Sequence, residues 1–123
     1  MEKKFELTEN YVVNEFGTKL YQIKCINSFG NVKKGKLGGF IEKEENLSQG
    51  SDAWVSGNAM VYGNARVSGN AWVSGNARVY DNARVSGNAW VYGNAMVYGA
   101  ARVCGNARVC GDTLVYGDTK VCK

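Results

Sequence analysis

From Trp54 onward, apolar and polar positions recur every six residues. Val stands at Val55, Val61, Val67, Val73, Val79, Val85, Val91, Val97, Val103, Val109, Val115 and Val121, with no slip in register. An Ala two positions earlier and a Gly-Asn pair beginning two positions later complete most units. A strict period of six predicts a parallel β-helix, in which each turn lies on the one before at a strand spacing of about 4.8 Å. Within a unit, Ala and Val face inward and the residues on either side of Val face outward. Gly-Asn makes the corner, because these residues tolerate positive φ.

Upstream of the repeat the pattern is irregular. Phe5-Glu6-Leu7 and Tyr11-Val12-Val13 are candidate strands, and Phe16-Gly17-Thr18 reads as a turn. Leu20 to Ile26 alternates apolar and polar over most of its length and predicts the best strand of this part. Residues 27–31 are turn-rich and residues 32–36 form a basic connection. Residues 1–36 therefore read as an N-terminal β cap over the exposed edge of the coil, and residues 37–123 as the β-helix. Ile41 and Leu47, six apart, supply the first inward aliphatics. The interval from Leu47 to Val55 stretches to eight, which predicts a bulge or a wider corner.

If three hexads make one turn, residues 18 apart stack, and the variable positions should sort by face. They do. One face carries Trp54, Trp72, Trp90 and Arg108. The next carries Met60, Arg78, Met96 and Leu114, beside an unbroken column of Tyr62, Tyr80, Tyr98 and Tyr116. The third carries Arg66, Arg84, Arg102 and Lys120, beside Ser68, Ser86, Cys104 and Cys122.

Each column carries a plain reading and a sharper one. Trp54, Trp72 and Trp90 form an outward apolar stripe too large for open solvent. A subunit interface is expected there, ahead of a stacking platform for a ring ligand or partial cover by the cap. Stacked like charges repel, so the Arg column is either solvated, paired to Glu42, Glu44 or Glu45, or occupied by an anion. Guanidinium groups match phosphate bidentately. The pairs Tyr62/Arg66, Tyr80/Arg84, Tyr98/Arg102 and Tyr116/Lys120 flank common corners. They are read as cation–π contacts or as a groove for a nucleotide.

Composition narrows the chemistry. The 123 residues contain no histidine, which removes a His base, any Ser/His or Cys/His nucleophile pair and any His metal site. Asp52, Asp81, Asp112 and Asp118 are the remaining repeat-region carboxylates, and the last three read as corner substitutions. Cys25, Cys104, Cys110 and Cys122 lack zinc-type spacing and are expected to be free thiols, although Cys104 and Cys122 stack. The net charge of +4 is far from that of a polybasic tail. No apolar run predicts a membrane span or a signal peptide, so a cytoplasmic location is expected. No catalytic residue, cofactor or metal site is assigned. The last hexads drift, with Ala100 at a corner and Asp112-Thr113 and Asp118-Thr119 in place of Asn-Ala. The end at Val121-Cys122-Lys123, read without a capping segment, is expected to fray or to abut another copy.

The junction Lys36-Leu37-Gly38-Gly39-Phe40-Ile41-Glu42, followed by Glu45-Asn46-Leu47-Ser48-Gln49-Gly50 and Ala53-Trp54-Val55, resembles small hexapeptide-repeat proteins of phages and prophages. The upstream Leu20-Tyr21-Gln22-Ile23 and Phe29-Gly30-Asn31-Val32-Lys33 are similar to the cap of that family. The resemblance implies a left-handed β-helix and an acyltransferase-like label. Hexapeptide acyltransferases use a histidine base, which this chain lacks.

The first functional expectation is a non-enzymatic, oligomeric binding protein of a bacterial host's cytoplasm, holding a nucleotide-like anion and in a phage setting sequestering a host immune signal. A homo-oligomer, a trimer first, is the expected partner state; a nucleic-acid polymer is not expected. The second is a structural or protein-binding phage module without a small ligand. The third, ranked last, is an acyltransferase.

Overall fold

The computed structural model describes residues 3–123. The hexads form two- and three-residue rungs of a parallel β-helix whose register follows the interval of 18. Trp54 pairs with Trp72 and Trp72 with Trp90; Met60 pairs with Arg78; Arg66 pairs with Arg84 and Arg84 with Arg102. The core is a column of small and β-branched side chains. Val55, Ala59, Val61, Ala71, Val73, Ala77 and Val79 are all 0% exposed. β-branched residues suit this place because their restricted rotamers pack well on a pleated surface.

Strand β1 (Phe5–Val13) and strand β2 (Lys19–Cys25) form an antiparallel hairpin that continues onto β3 (Leu37–Ile41). The two short candidates in residues 5–13 are one strand, with an irregularity between Leu7 and Tyr11. Strand β3 is already the first rung of the coil, since Phe40 and Ile41 pair in parallel with Met60 and Val61. The hairpin thus extends the Tyr-bearing sheet as well as closing the end of the core. Ile41 and Leu47 are buried, as the six-residue interval implied, and Leu47 bridges to Val67. No strand runs through residues 48–53, where the widened corner was expected.

That widened corner is held by the cap. Gln49 Oε1 accepts from the backbone N–H of Lys4 (2.8 Å) and Phe5 (3.2 Å), and Gln49 Nε2 donates back to the Phe5 carbonyl (3.1 Å). Lys4 Nζ is driven into the corner, donating to the carbonyls of Ser51 and Ala53 and lying 4.5 Å from the Phe29 ring centroid. Burial pushes the Lys4 ammonium down from 10.5 to about 8, against the opposing pull of the Asp52 carboxylate and of Cys25. The sign of the linkage follows. Between pH 8 and 10.5 the unfolded chain holds a proton that the folded chain has released, so stability rises with pH across that window. Burial raises the Tyr62 and Tyr80 hydroxyls, which makes stability fall again above pH 10. Burial likewise raises the Cys25 thiol, which lowers stability above pH 9, so thermal melts between about pH 7.5 and 9 are expected to show a rising midpoint in the native protein and a flat one in Lys4→Met.

The corners use Gly at positive φ throughout, with one exception. Asp81 takes the Gly position at φ 61°. Its carboxylate accepts from the Gly99 N–H at 3.1 Å, as Glu42 does for Gly63 at 2.8 Å further back along the same corner. Asp81→Ala keeps the strained backbone and removes the acceptor. The expected loss is about 1 kcal/mol, read as a lowered urea midpoint; Asp81→Asn should retain most of it.

Candidate functional site

The Arg66, Arg84 and Arg102 rungs lie side by side on one sheet, each Arg exposed and each followed by a buried Val. Among the described residues none of the three has an ion-pair partner. The expected glutamate partners are occupied otherwise or stand off. Glu44 pairs with Lys3 at 2.8 Å, Glu42 accepts from the Gly63 N–H, and Glu45 lies on the rim without bonding to an arginine.

Beside this ladder is a hollow of about 690 Å³. Its floor carries Val67, Ser68, Ser86 and Cys104, and the three arginines line one side. The other wall is the segment from Glu44 to Gln49. A short 3-10 turn at Glu44–Asn46 sets this wall in place. Asn46 is fully buried and locks the turn, donating to the Ala65 carbonyl (2.9 Å) and accepting from the Lys43 N–H (2.9 Å). A smaller hollow of about 290 Å³ borders Arg66 and Arg84, with Lys43, Asn64 and Asn82 beside them. Glu44 and Glu45 thus stand near the Arg face, where they were expected as its ion-pair partners, but they line the hollow without pairing with it; Gln49 joins them, which nothing in the hexad pattern indicates.

The tyrosines are elsewhere. Tyr62, Tyr80, Tyr98 and Tyr116 form a ladder with ring centroids 5.0, 5.1 and 5.5 Å apart and nearly parallel planes. None of them lines either hollow. The Tyr/Arg cation–π pairs expected across the corners do not form among the described residues. Residues on either side of a Gly-Asn corner belong to different faces, and their outward side chains diverge. The cation nearest the Tyr ladder is instead Arg78, on the same sheet, which reaches Glu15 of the cap at 3.4 Å. Lys120 extends the Arg ladder by pairing with Arg102 but does not line the hollow.

The Trp column is divided by the cap. Trp54 is 1% exposed and packs edge-on against Phe29 at 5.5 Å, so it is core and not a free interface residue. Trp72 is half-buried and Trp90 is 46% exposed, with ring centroids 6.5 Å apart. The Arg108 guanidinium lies 5.5 Å from the Trp90 ring centroid. The expectation of free thiols at Cys104 and Cys122 is also corrected. They are joined as a disulfide, because the three-residue register brings Cys104 opposite Cys122 with Cα atoms 4.5 Å apart. Cys25 and Cys110 are free. Among the described residues, no three Cys, Asp or Glu side chains converge as a metal site requires, and no helix is long and apolar enough to cross a membrane.

Coil, register and ladder define a parallel β-solenoid built from hexapeptide repeats. The YdcK β-solenoid repeat model matches residues 53–65, 61–75, 77–93, 91–104 and 101–117, together more than half of the chain. The chain belongs to that family. It is also 37% identical over 76 residues to a protein of Escherichia coli (strain K12) named "Uncharacterized acetyltransferase YdcK". That match covers 55% of this chain and 23% of the relative, so the chain spans only a minor part of the relative's length.

Proposed function

We propose that the protein is a non-enzymatic binding protein whose Arg66–Arg84–Arg102 ladder holds an anionic, nucleotide-like ligand in the hollow beside it. One observation carries this reading: three arginines on adjacent rungs, unpaired among the described residues, border a hollow of about 690 Å³. That volume suits a small molecule, whose sites run to roughly 300–1,000 Å³. Stacked like charges are unfavourable by themselves, and a phosphate placed among them removes the repulsion and accepts two bonds from one guanidinium. Ser68 and Ser86 offer hydroxyl donors on the floor, and Glu45 on the rim can accept from a sugar hydroxyl. The Tyr and Trp columns take no part in the hollow, so recognition rests on charge and hydroxyl bonding more than on stacking.

Assembly as a homotrimer through Trp72 and Trp90 belongs to the same reading. The half-covered Trp pair is the support for it. Sedimentation should give a trimer that Trp90→Glu dissociates.

The test of binding is a thermal-shift and calorimetric panel of mono-, di- and cyclic nucleotides at low salt. At least one should raise the melting temperature and be recovered unmodified. A panel with no shift would contradict the reading. The name of the Escherichia coli relative favours a second reading, acyl transfer from a CoA thioester. Acetyl-CoA incubated with the protein and an amine panel separates the two: release of free CoA thiol supports transfer, and intact acetyl-CoA supports binding alone.

A further inference from the structure

We propose that Cys104 and Cys122 are a thiol–disulfide modification site that takes a small-molecule disulfide as co-reactant and fastens the Lys120 rung onto the Arg ladder. Elsewhere, corner asparagines tie successive turns together. Asn70, Asn88 and Asn106 bond in series at 3.1 and 3.3 Å. Asn58, Asn76, Asn94 and Asp112 do the same at 3.4, 3.3 and 3.4 Å. The corner leading into the Arg face begins alike, with Asn64 bonded to Asn82 at 3.3 Å, and then fails. Ala100 and Asp118 occupy the next two places and make no such bond. The inward Ala of the following rung is Thr119, which is exposed. The corner before the Lys120–Cys122 rung therefore lacks the side-chain bond that joins Asn64 to Asn82.

The disulfide ties the same rung at its opposite end, after the inward Val103 and Val121. The Arg102–Cys104 and Lys120–Cys122 rungs pair over three residues, and their Cα separation of 4.5 Å at the cysteines lies within the span of a disulfide. Cys104 is half-buried and Cys122 exposed, so a small thiol or disulfide reaches them. Cys25 is buried and Cys110 lies on another face. In a reducing compartment a bond of this kind is transient and redox-sensing.

The chemistry balances by exchange. One thiolate attacks a sulfur of the small disulfide, forming a mixed disulfide and releasing one small thiolate. The second cysteine thiolate attacks the protein sulfur of that adduct and releases the other. The two cysteines lose two electrons in total and the small disulfide gains them. The cysteines' two protons end on the released thiols.

The test uses the full chain carrying Cys110→Ser, equilibrated with oxidised or reduced glutathione. Intact mass should fall by two hydrogens on oxidation, with Cys104→Ser/Cys122→Ser unchanged. The Arg102 and Asn106 amides, which donate to the carbonyls of Thr119 and Lys123, should exchange roughly a hundredfold more slowly when oxidised. The Arg66 and Ser68 amides, bonded to inner turns, should not change. Circular dichroism of the double variant controls for folding. A stable glutathione adduct without the bridge, or equal exchange of Arg102 and Asn106 in both redox states, would overturn the proposal.

Discussion

Replacing Gly39 with Ala is expected to destabilise the protein by about 3 kcal/mol or more. A Cβ built there meets the Ala59 carbonyl oxygen at 2.7 Å and Val55 Cγ1 at 2.7 Å. Neither can withdraw freely. The Ala59 carbonyl accepts from the Phe40 N–H at 2.9 Å, the bond that joins β3 to the second turn, and Val55 is fully buried. Gly38 is as tightly placed, with Ile23 Cγ1 at 2.7 Å and Trp54 Cζ2 at 2.8 Å from its would-be Cβ. The Gly-Gly of the junction thus exists for closeness of approach. Gly111→Ala is the contrast: its φ is 65° but nothing stands within 4 Å, so only the backbone cost of about 1 kcal/mol applies. Urea unfolding of the two variants should separate them by about 2 kcal/mol.

Arg84→Glu is expected to weaken binding of the nucleotide that the panel selects by about a hundredfold or more, roughly 3 kcal/mol. Arg84 is the central member of the ladder and borders both hollows. The substitution removes a charge-assisted pair of bonds and sets a carboxylate against the bound anion. Arg84→Lys should retain part of the affinity, since the charge survives and the bidentate geometry does not. Melting of the unliganded protein should hardly change, because Arg84 is exposed and has no ion-pair partner among the described residues. Calorimetry at two salt concentrations reads both effects, with native affinity falling as salt rises.

The coil was legible in the chain because its demands are local and repeated. A Val that must be buried, an Ala that must be small and a Gly that must take positive φ recur without slip, and the interval of 18 then sets the register of Trp54 on Trp72 and Arg66 on Arg84. What the pattern could not carry depends on contacts from outside the repeat. Trp54 has the hexad environment of Trp90, yet it is buried because Phe29 and Gly38 close over it. Glu45 and Gln49 form a wall of the hollow because buried Asn46 binds the Ala65 carbonyl, a contact of the junction with the coil. Tyr62 and Arg66 looked like neighbours from their closeness in sequence, but the corner between them turns their side chains onto different faces. Cys104 and Cys122 were legible as stacked neighbours; that their sulfurs face one another depended on side-chain direction.

The central claim is that the Arg ladder holds an anion. Its most direct test is a structure of the protein isolated from cells and then saturated with the best nucleotide of the panel. The account predicts phosphate oxygens within hydrogen-bond distance of the guanidinium groups of Arg66, Arg84 or Arg102, with the rest of the ligand in the hollow walled by Glu45 and Gln49. A nucleotide seated on the Tyr or Trp face, with only solvent beside these arginines, would contradict it.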